Sequence, residues 1–254
     1  MVGSSLKWLS SRLGSSKHSK NMPKLSHPAQ VVSAFDKWAA NWSAHYADGN
    51  QMGPRIARFE EALQAHGSPG GNVLDFGCGT GEISRGLDAS GWRVTACDAS
   101  RGMIEQAEKR DTRSGVEWII LDHGNALPFE DASFDAAISS SVFEYLTDPI
   151  AQAREISRVL KPGGCFCLTV PDPRHPERDR EIKKIPFARC TPVWWLISLT
   201  RWRDEFTYLR ISINRWHLEK WVELLRSAGF SVEEPKGPLH PLLMLAARKS
   251  SPKT

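Results

Sequence analysis

Three glycines at alternate positions, Gly77, Gly79 and Gly81, follow the apolar run Val73-Leu-Asp-Phe76 and precede Glu82-Ile-Ser84. A strand that passes into a helix through such a loop predicts an α/β unit with a ligand at the turn. Glycine carries no Cβ and reaches φ > 0, so backbone can approach a bound molecule closely there. About twenty residues on, Val94-Thr-Ala-Cys-Asp98 puts an acid at the tip of the next apolar strand, where a carboxylate can accept from both hydroxyls of a ribose. The pair predicts a nucleoside site.

The dinucleotide fingerprint needs a third glycine three residues after the second and free amides aimed at a pyrophosphate. Here Glu82 takes that place, and its charge repels a pyrophosphate. Asp75, two residues before the first glycine, adds a second negative charge that suits a cationic ammonium and sulfonium better than a dianion. The ligand such a pair of charges predicts is S-adenosyl-L-methionine. On these residues, on Leu121-Asp-His-Gly-Asn-Ala-Leu-Pro-Phe129 with Ser133-Phe-Asp135, and on Val159-Leu-Lys-Pro-Gly-Gly164, the chain resembles the class I S-adenosylmethionine-dependent methyltransferases, including those of quinone biosynthesis, over residues 30 to 248.

The resemblance implies an α/β, Rossmann-like, seven-stranded and mostly parallel sheet of order 3-2-1-4-5-7-6, helices on both faces, and a lid insertion. It also implies roles. Gly77, Cys78, Gly79 and Gly81 set backbone against the methionine portion, and Asp75 orients its ammonium. Asp98 accepts from the ribose, with Ala99 and Met103 against the adenine. Asp122 accepts from the adenine amino group and His123 offers its amide. Tyr46 matches an aromatic position facing the methionine end, and Ser139 ends strand four beside it. Met103 and Tyr46 read equally well as core, and counting back from Leu127-Pro-Phe129 shifts the Asp122 register by one residue.

Apolar and turn patterns place strands at about 72 to 76, 93 to 97, 117 to 121, 135 to 140 and 165 to 170, with Phe230–Val232 and Leu242–Arg248 last. Helices are expected over Val31–Ala47 (Phe35, Trp38, Trp42), around Ile56, Phe59 and Leu63, and around Leu218, Trp221, Val222 and Leu225. Lys161-Pro-Gly-Gly164 reads as a turn ahead of strand five. Asp135 reads as a structural cap.

A chain of 254 residues, 41% apolar, is long enough for one filled α/β domain. The apolar stretch Val193 to Leu199 stops at seven residues, against the roughly 20 a bilayer span needs, so no transmembrane segment is expected. None of the five cysteines forms a C-x-x-C pair, which points to reduced thiols and no metal site. Residues 1 to 35 hold Lys7, Arg12, Lys17, Lys20 and Lys24 and no acid. They carry +5 of a net +4, leaving −1 for the rest, and nucleic acid is not an expected partner. Residues 1–28 read as a basic disordered tail ahead of a domain at 29–250. The alternatives are a transit peptide, giving an organelle matrix instead of a cytoplasmic location, and a surface-binding helix carrying Leu6, Leu9 and Leu13.

Methyl transfer from a sulfonium needs alignment, desolvation and, for a hydroxyl acceptor, a base. His175, His217, Glu144 and Tyr145 are candidates for catalysis. The segment 171–215 holds ten Lys or Arg against six Asp or Glu, with Trp194, Trp195 and Trp202. It reads as a lid over a small acceptor, apolar or aromatic with an acidic group, with Trp194, Trp195 and Arg189 as substrate-binding candidates. A solvated basic helix over an aromatic core explains the same composition. Three rivals stand beside a small-molecule methyltransferase: a protein or RNA methyltransferase, a silent binding module, and a nicotinamide oxidoreductase.

Overall fold

The computed structural model describes residues 25–42, 52–66, 69–122, 126–233, 235 and 239–250. Tyr46, His123 and the N-terminal segment up to residue 24 lie outside them. Helix α1 (His27–Trp42) starts inside the stretch expected as tail, because Pro28 at the second helical position has the right φ and loses no needed N–H there. Helix α2 (Met52–His66) follows and buries Phe59 and Leu63 at helical spacing.

Strands β1 (Asn72–Phe76), β2 (Arg93–Asp98), β3 (Glu117–Ile120), β4 (Phe134–Ser140) and β5 (Leu160–Pro171) alternate with α3 (Glu82–Ala89), α4 (Arg101–Arg110) and α5 (Pro149–Val159). Helices α6 (Pro176–Arg189), α7 (Thr191–Ile197) and α8 (Arg203–Ile211) form the insertion; α9 (Leu218–Ser227), β6 (Phe230–Glu233) and β7 (Leu242–Lys249) complete the chain. The seven strands lie in the order β3-β2-β1-β4-β5-β7-β6, with β7 antiparallel to both neighbours. This is the expected order.

The sheet is covered on both faces, so its strands read as near-continuous apolar runs. Successive residues point to opposite faces. Val73 packs with Phe59, Leu63 and Leu87, whereas Leu74 and Phe76 pack with Phe143, Phe166 and Trp221. Cys165 and Cys167 share the first face and are fully buried.

At Lys161-Pro-Gly-Gly164 the structure refines the expected turn. It is an excursion inside a continuous β5, since Phe134 pairs with Leu160 and Ala136 with Cys165. Gly163 supplies φ +75°, and a Cβ on Gly164 would meet the Lys161 carbonyl at 2.9 Å. Asp135 ties this corner, accepting from Lys161 Nζ at 2.7 Å and from the Asn72 amide at 2.9 Å.

Strand β1 lies between β2 and β4, so chain connections leave it in opposite directions and open a crevice beyond its carboxyl end. The glycine loop lies in that crevice.

Candidate functional site

The loop after β1 is held by backbone. The amides of Gly77 and Cys78 both donate to the Cys97 carbonyl, at 2.8 and 3.1 Å, and the Gly81 amide donates to Cys78 at 3.0 Å. The glycines have different jobs. Gly77 has φ +76°, and a Cβ there would come within 2.3 Å of a Val142 methyl. Gly81, the left-handed residue that opens α3, does not line the cavity, and a Cβ there would come within 2.2 Å of the Trp118 ring. Its requirement is packing and helix start, not ligand approach. Gly77, Cys78 and Gly79 do line the cavity.

That cavity measures about 660 Å³ and runs from the loop to the lid. At the end beside the glycine loop, Asp98 holds the Gly79 amide at 2.9 Å and the Ser100 amide at 2.8 Å. Ala99, Met103 and Asp122 line the same end. Asp75 is 1% exposed, and its Oδ2 accepts from Ser84 at 2.6 Å while its Oδ1 has no partner. Burial pushes this carboxyl up to about 7, helped by the nearby Asp98 charge and opposed by Ser84. Burial likewise raises Asp98, against its bonds from the Ser100 and Gly79 amides and with the Asp36 charge adding to the rise.

Ser139 faces away: it is fully buried and donates to the Phe76 carbonyl at 3.0 Å. Ser140 and Ser141 line the cavity instead, as strand alternation and the left-handed Ser141 (φ 57°) dictate.

The other end is built by α1, the 3-10 turn Phe143–Tyr145 and the lid. Phe35 meets Tyr145 edge-on at 5.2 Å, and Trp38 stacks on Trp42 at 6.3 Å. Glu144 is 2% exposed, and its Oε2 has no hydrogen-bond partner. Burial pushes it up to about 7, against the pull of Arg215, Arg178 and Arg55. Nε2 of Gln152 on α5, which also lines the cavity, has no partner either. Tyr208 of α8 packs on Tyr145 at 6.3 Å, and Arg178 of α6 donates to the Tyr208 hydroxyl at 3.3 Å.

Of the catalytic candidates, Glu144 and Tyr145 line the cavity and the two histidines do not. His175 is half-buried and caps α6, accepting from Glu177 N at 3.3 Å, and His217 is exposed at the start of α9. Trp194, Trp195 and Arg189 also lie outside the lining. Trp194 packs under Arg210 at 4.8 Å, and Trp195 is 65% exposed. The lid faces the cavity through Arg178, Asp204, Glu205 and Tyr208. Sequence reasoning missed these, together with Asp36, Ser100 and Gln152, because α6 and α8 have no motif that says which turn faces inward.

A glycine loop at a sheet switch point, two strand-end carboxylates of which Asp75 is buried and Asp98 half-buried, and a capped, aromatic-lined chamber define a nucleoside-binding α/β enzyme. The methyltransferase-domain family model matches residues 74–168. The chain is 41% identical over 175 residues to the ubiquinone/menaquinone biosynthesis C-methyltransferase of Desulfotalea psychrophila, covering 65% of this chain and 68% of that one. It is 31% identical to the demethylmenaquinone methyltransferase of Clavibacter sepedonicus, over 82% of this chain and 84% of that one. The fold matches a putative methyltransferase of Haloferax volcanii, solved in complex with a methyltransferase activator, with TM-score 0.62, 24% identity and coverage of 85% and 97%.

The chain belongs to the class I S-adenosylmethionine-dependent methyltransferase family, and its cofactor is S-adenosyl-L-methionine. The cavity fits that cofactor, because the unpartnered Asp75 Oδ1 is a buried acceptor for a cation, which a nucleotide phosphate could not satisfy.

Proposed function

We propose that this enzyme methylates a small apolar or aromatic acceptor bearing an acidic or hydroxyl group, seated between α1 and the lid. The observation that carries this reading is the lid end of the cavity, where Phe35, Trp38, Tyr145 and Tyr208 surround Glu144 and Arg178. The aromatics supply contact area, Arg178 a counter-charge, and Glu144 an acceptor for a proton.

Asp98 would accept from the ribose hydroxyls and Asp75 Oδ1 from the ammonium. Ala99 and Met103 would flank the adenine, with Asp122 at its amino group. When bound, S-adenosylmethionine supplies an electrophilic methyl on a sulfonium. The chain's own contribution is alignment of the acceptor and exclusion of water by α1 and the lid. Glu144, buried among aromatics with Arg215, Arg178 and Arg55 nearby, takes the proton of a hydroxyl acceptor. The quinone-pathway names of the two relatives support an apolar ring as substrate class.

The test is transfer of a labelled methyl group to a panel of phenols and quinols with and without apolar tails, beside bulk protein and RNA. Label in the apolar ring compounds, lost in Asp98→Ala, is expected. Label only in protein or RNA overturns the small-molecule reading.

A further inference from the structure

We propose that the outer face of the lid, centred on α7, docks on an anionic lipid surface. Scattered exposed apolar side chains are ordinary, but clustered ones mark contact sites. Among the described residues, five of the eight exposed large apolar side chains fall in one short stretch: Phe187 (59%), Trp195 (65%), Leu196 (62%), Leu199 (75%) and Trp202 (47%). Helix α7 buries none of its residues and packs mainly on α6 and α8.

The charge around this patch identifies the occupant. From Ile182 to Arg203 there is no acid, and Lys183, Lys184, Arg189, Arg201 and Arg203 are all basic. Lys183 and Lys184 are tied to Asp179 and Glu205 at 2.6 Å, and Arg203 to Asp204. Arg189 and Arg201 have no carboxylate partner among the described residues, and the Arg201 guanidinium lies 4.9 Å over the Trp202 ring. Exposed tryptophan and leucine rimmed by unpaired arginine is the chemistry of a segment that lies at a headgroup boundary: the rings and leucines enter the apolar edge while the guanidiniums meet lipid phosphates. A second copy of this chain would bring the same positive charge to the patch and oppose it. No helix among the described residues is long and apolar enough to cross a membrane, so the contact is peripheral. The same lid lines the cavity through Arg178 and Tyr208 on the helices flanking α7, so docking would set the cavity roof against the membrane.

Flotation of the full chain with phosphatidylglycerol-containing vesicles and with pure phosphatidylcholine vesicles tests this. Binding to the anionic vesicles, falling with added salt, is expected. The Leu196→Ser, Leu199→Ser, Trp202→Ser triple variant should bind them roughly tenfold more weakly or worse. Arg201→Gln should mainly reduce the salt-sensitive part. Retained S-adenosylhomocysteine binding shows that the variants are folded; the single Leu199→Asp change at the most exposed position serves if the triple variant is not. Absence of vesicle binding overturns the proposal. So does undiminished binding by the patch variants, which would move the anchor to the basic N-terminal segment. Self-association abolished by the same substitutions, without vesicle binding, would assign the patch to a second copy.

Discussion

Asp36 Oδ1 accepts a 2.6 Å hydrogen bond from Ser100 Oγ and a 3.0 Å bond from the Gly102 amide, so helix α1 is pinned to the start of α4 two residues beyond Asp98. The helices touch closely there: a Cβ on Gly102 would lie 3.2 Å from the Asp36 carbonyl. The aromatic roof of the cavity is thereby fixed to the end that holds Asp98. Asp36→Ala should weaken S-adenosylhomocysteine binding about five- to tenfold, the loss of one to two hydrogen bonds to a charged acceptor. Asp36→Asn keeps the accepting oxygen and should bind nearly as wild type. Calorimetric titration of the two variants decides; equal affinities would mean that α1 is held by its aromatics alone.

Asp75 predicts a pH dependence of cofactor affinity. Its carboxyl is raised to about 7 by burial, so a growing fraction is protonated as pH falls below that value. An ammonium binds only the ionised form. S-adenosylhomocysteine affinity should therefore fall as pH is lowered through about 7, by up to tenfold per unit, and Asp75→Asn should bind weakly with a flat profile. The ligand-free protein should behave oppositely. A carboxyl raised on folding binds its proton more tightly in the native state, so its contribution is full below the ordinary aspartate range and is lost as pH rises through about 7. Above that pH Asp75→Asn should melt higher than wild type.

Glu144 should show itself in the rate rather than in cofactor binding. With its carboxyl raised to about 7, kcat/KM for a hydroxyl acceptor at saturating S-adenosylmethionine should rise with pH and level off near that value. Glu144→Gln should flatten the profile and cost about a hundredfold in rate at unchanged S-adenosylhomocysteine affinity. A profile that survives the substitution would assign Glu144 to holding the lid.

Gly77 tests the loop. Gly77→Ala combines a φ of +76° with a 2.3 Å approach to Val142, and should destabilise the fold by about 2–4 kcal/mol. Val142→Ala removes the overlap but not the backbone strain, so the double variant should recover part of the loss in denaturant unfolding. Full recovery would mean that φ carries no cost there.

The sequence by itself determined the sheet and its ligand crevice. Strand and helix periods are local, and glycines at 77, 79 and 81 with acids at 75 and 98 report a loop whose chemistry is fixed by a few adjacent residues. Even there, composition did not separate roles: only packing shows that Gly81 yields space to Trp118 and that Ser139 points into the sheet while Ser140 faces the cavity. The acceptor end depended on tertiary structure throughout. Charge and tryptophan counts marked residues 171–215 as a lid, yet Trp194, Trp195 and Arg189 lie outside the lining, whereas Arg178 and Tyr208 reach it. The reason is physical. Helix α6 buries only Ala188 and α7 buries no residue, so neither carries an inward apolar stripe that would set its rotation. What turns α6 and α8 is the long-range contact of Arg178 with Tyr208, of Arg215 with Glu181, and of Tyr208 with Tyr145, which no local pattern records.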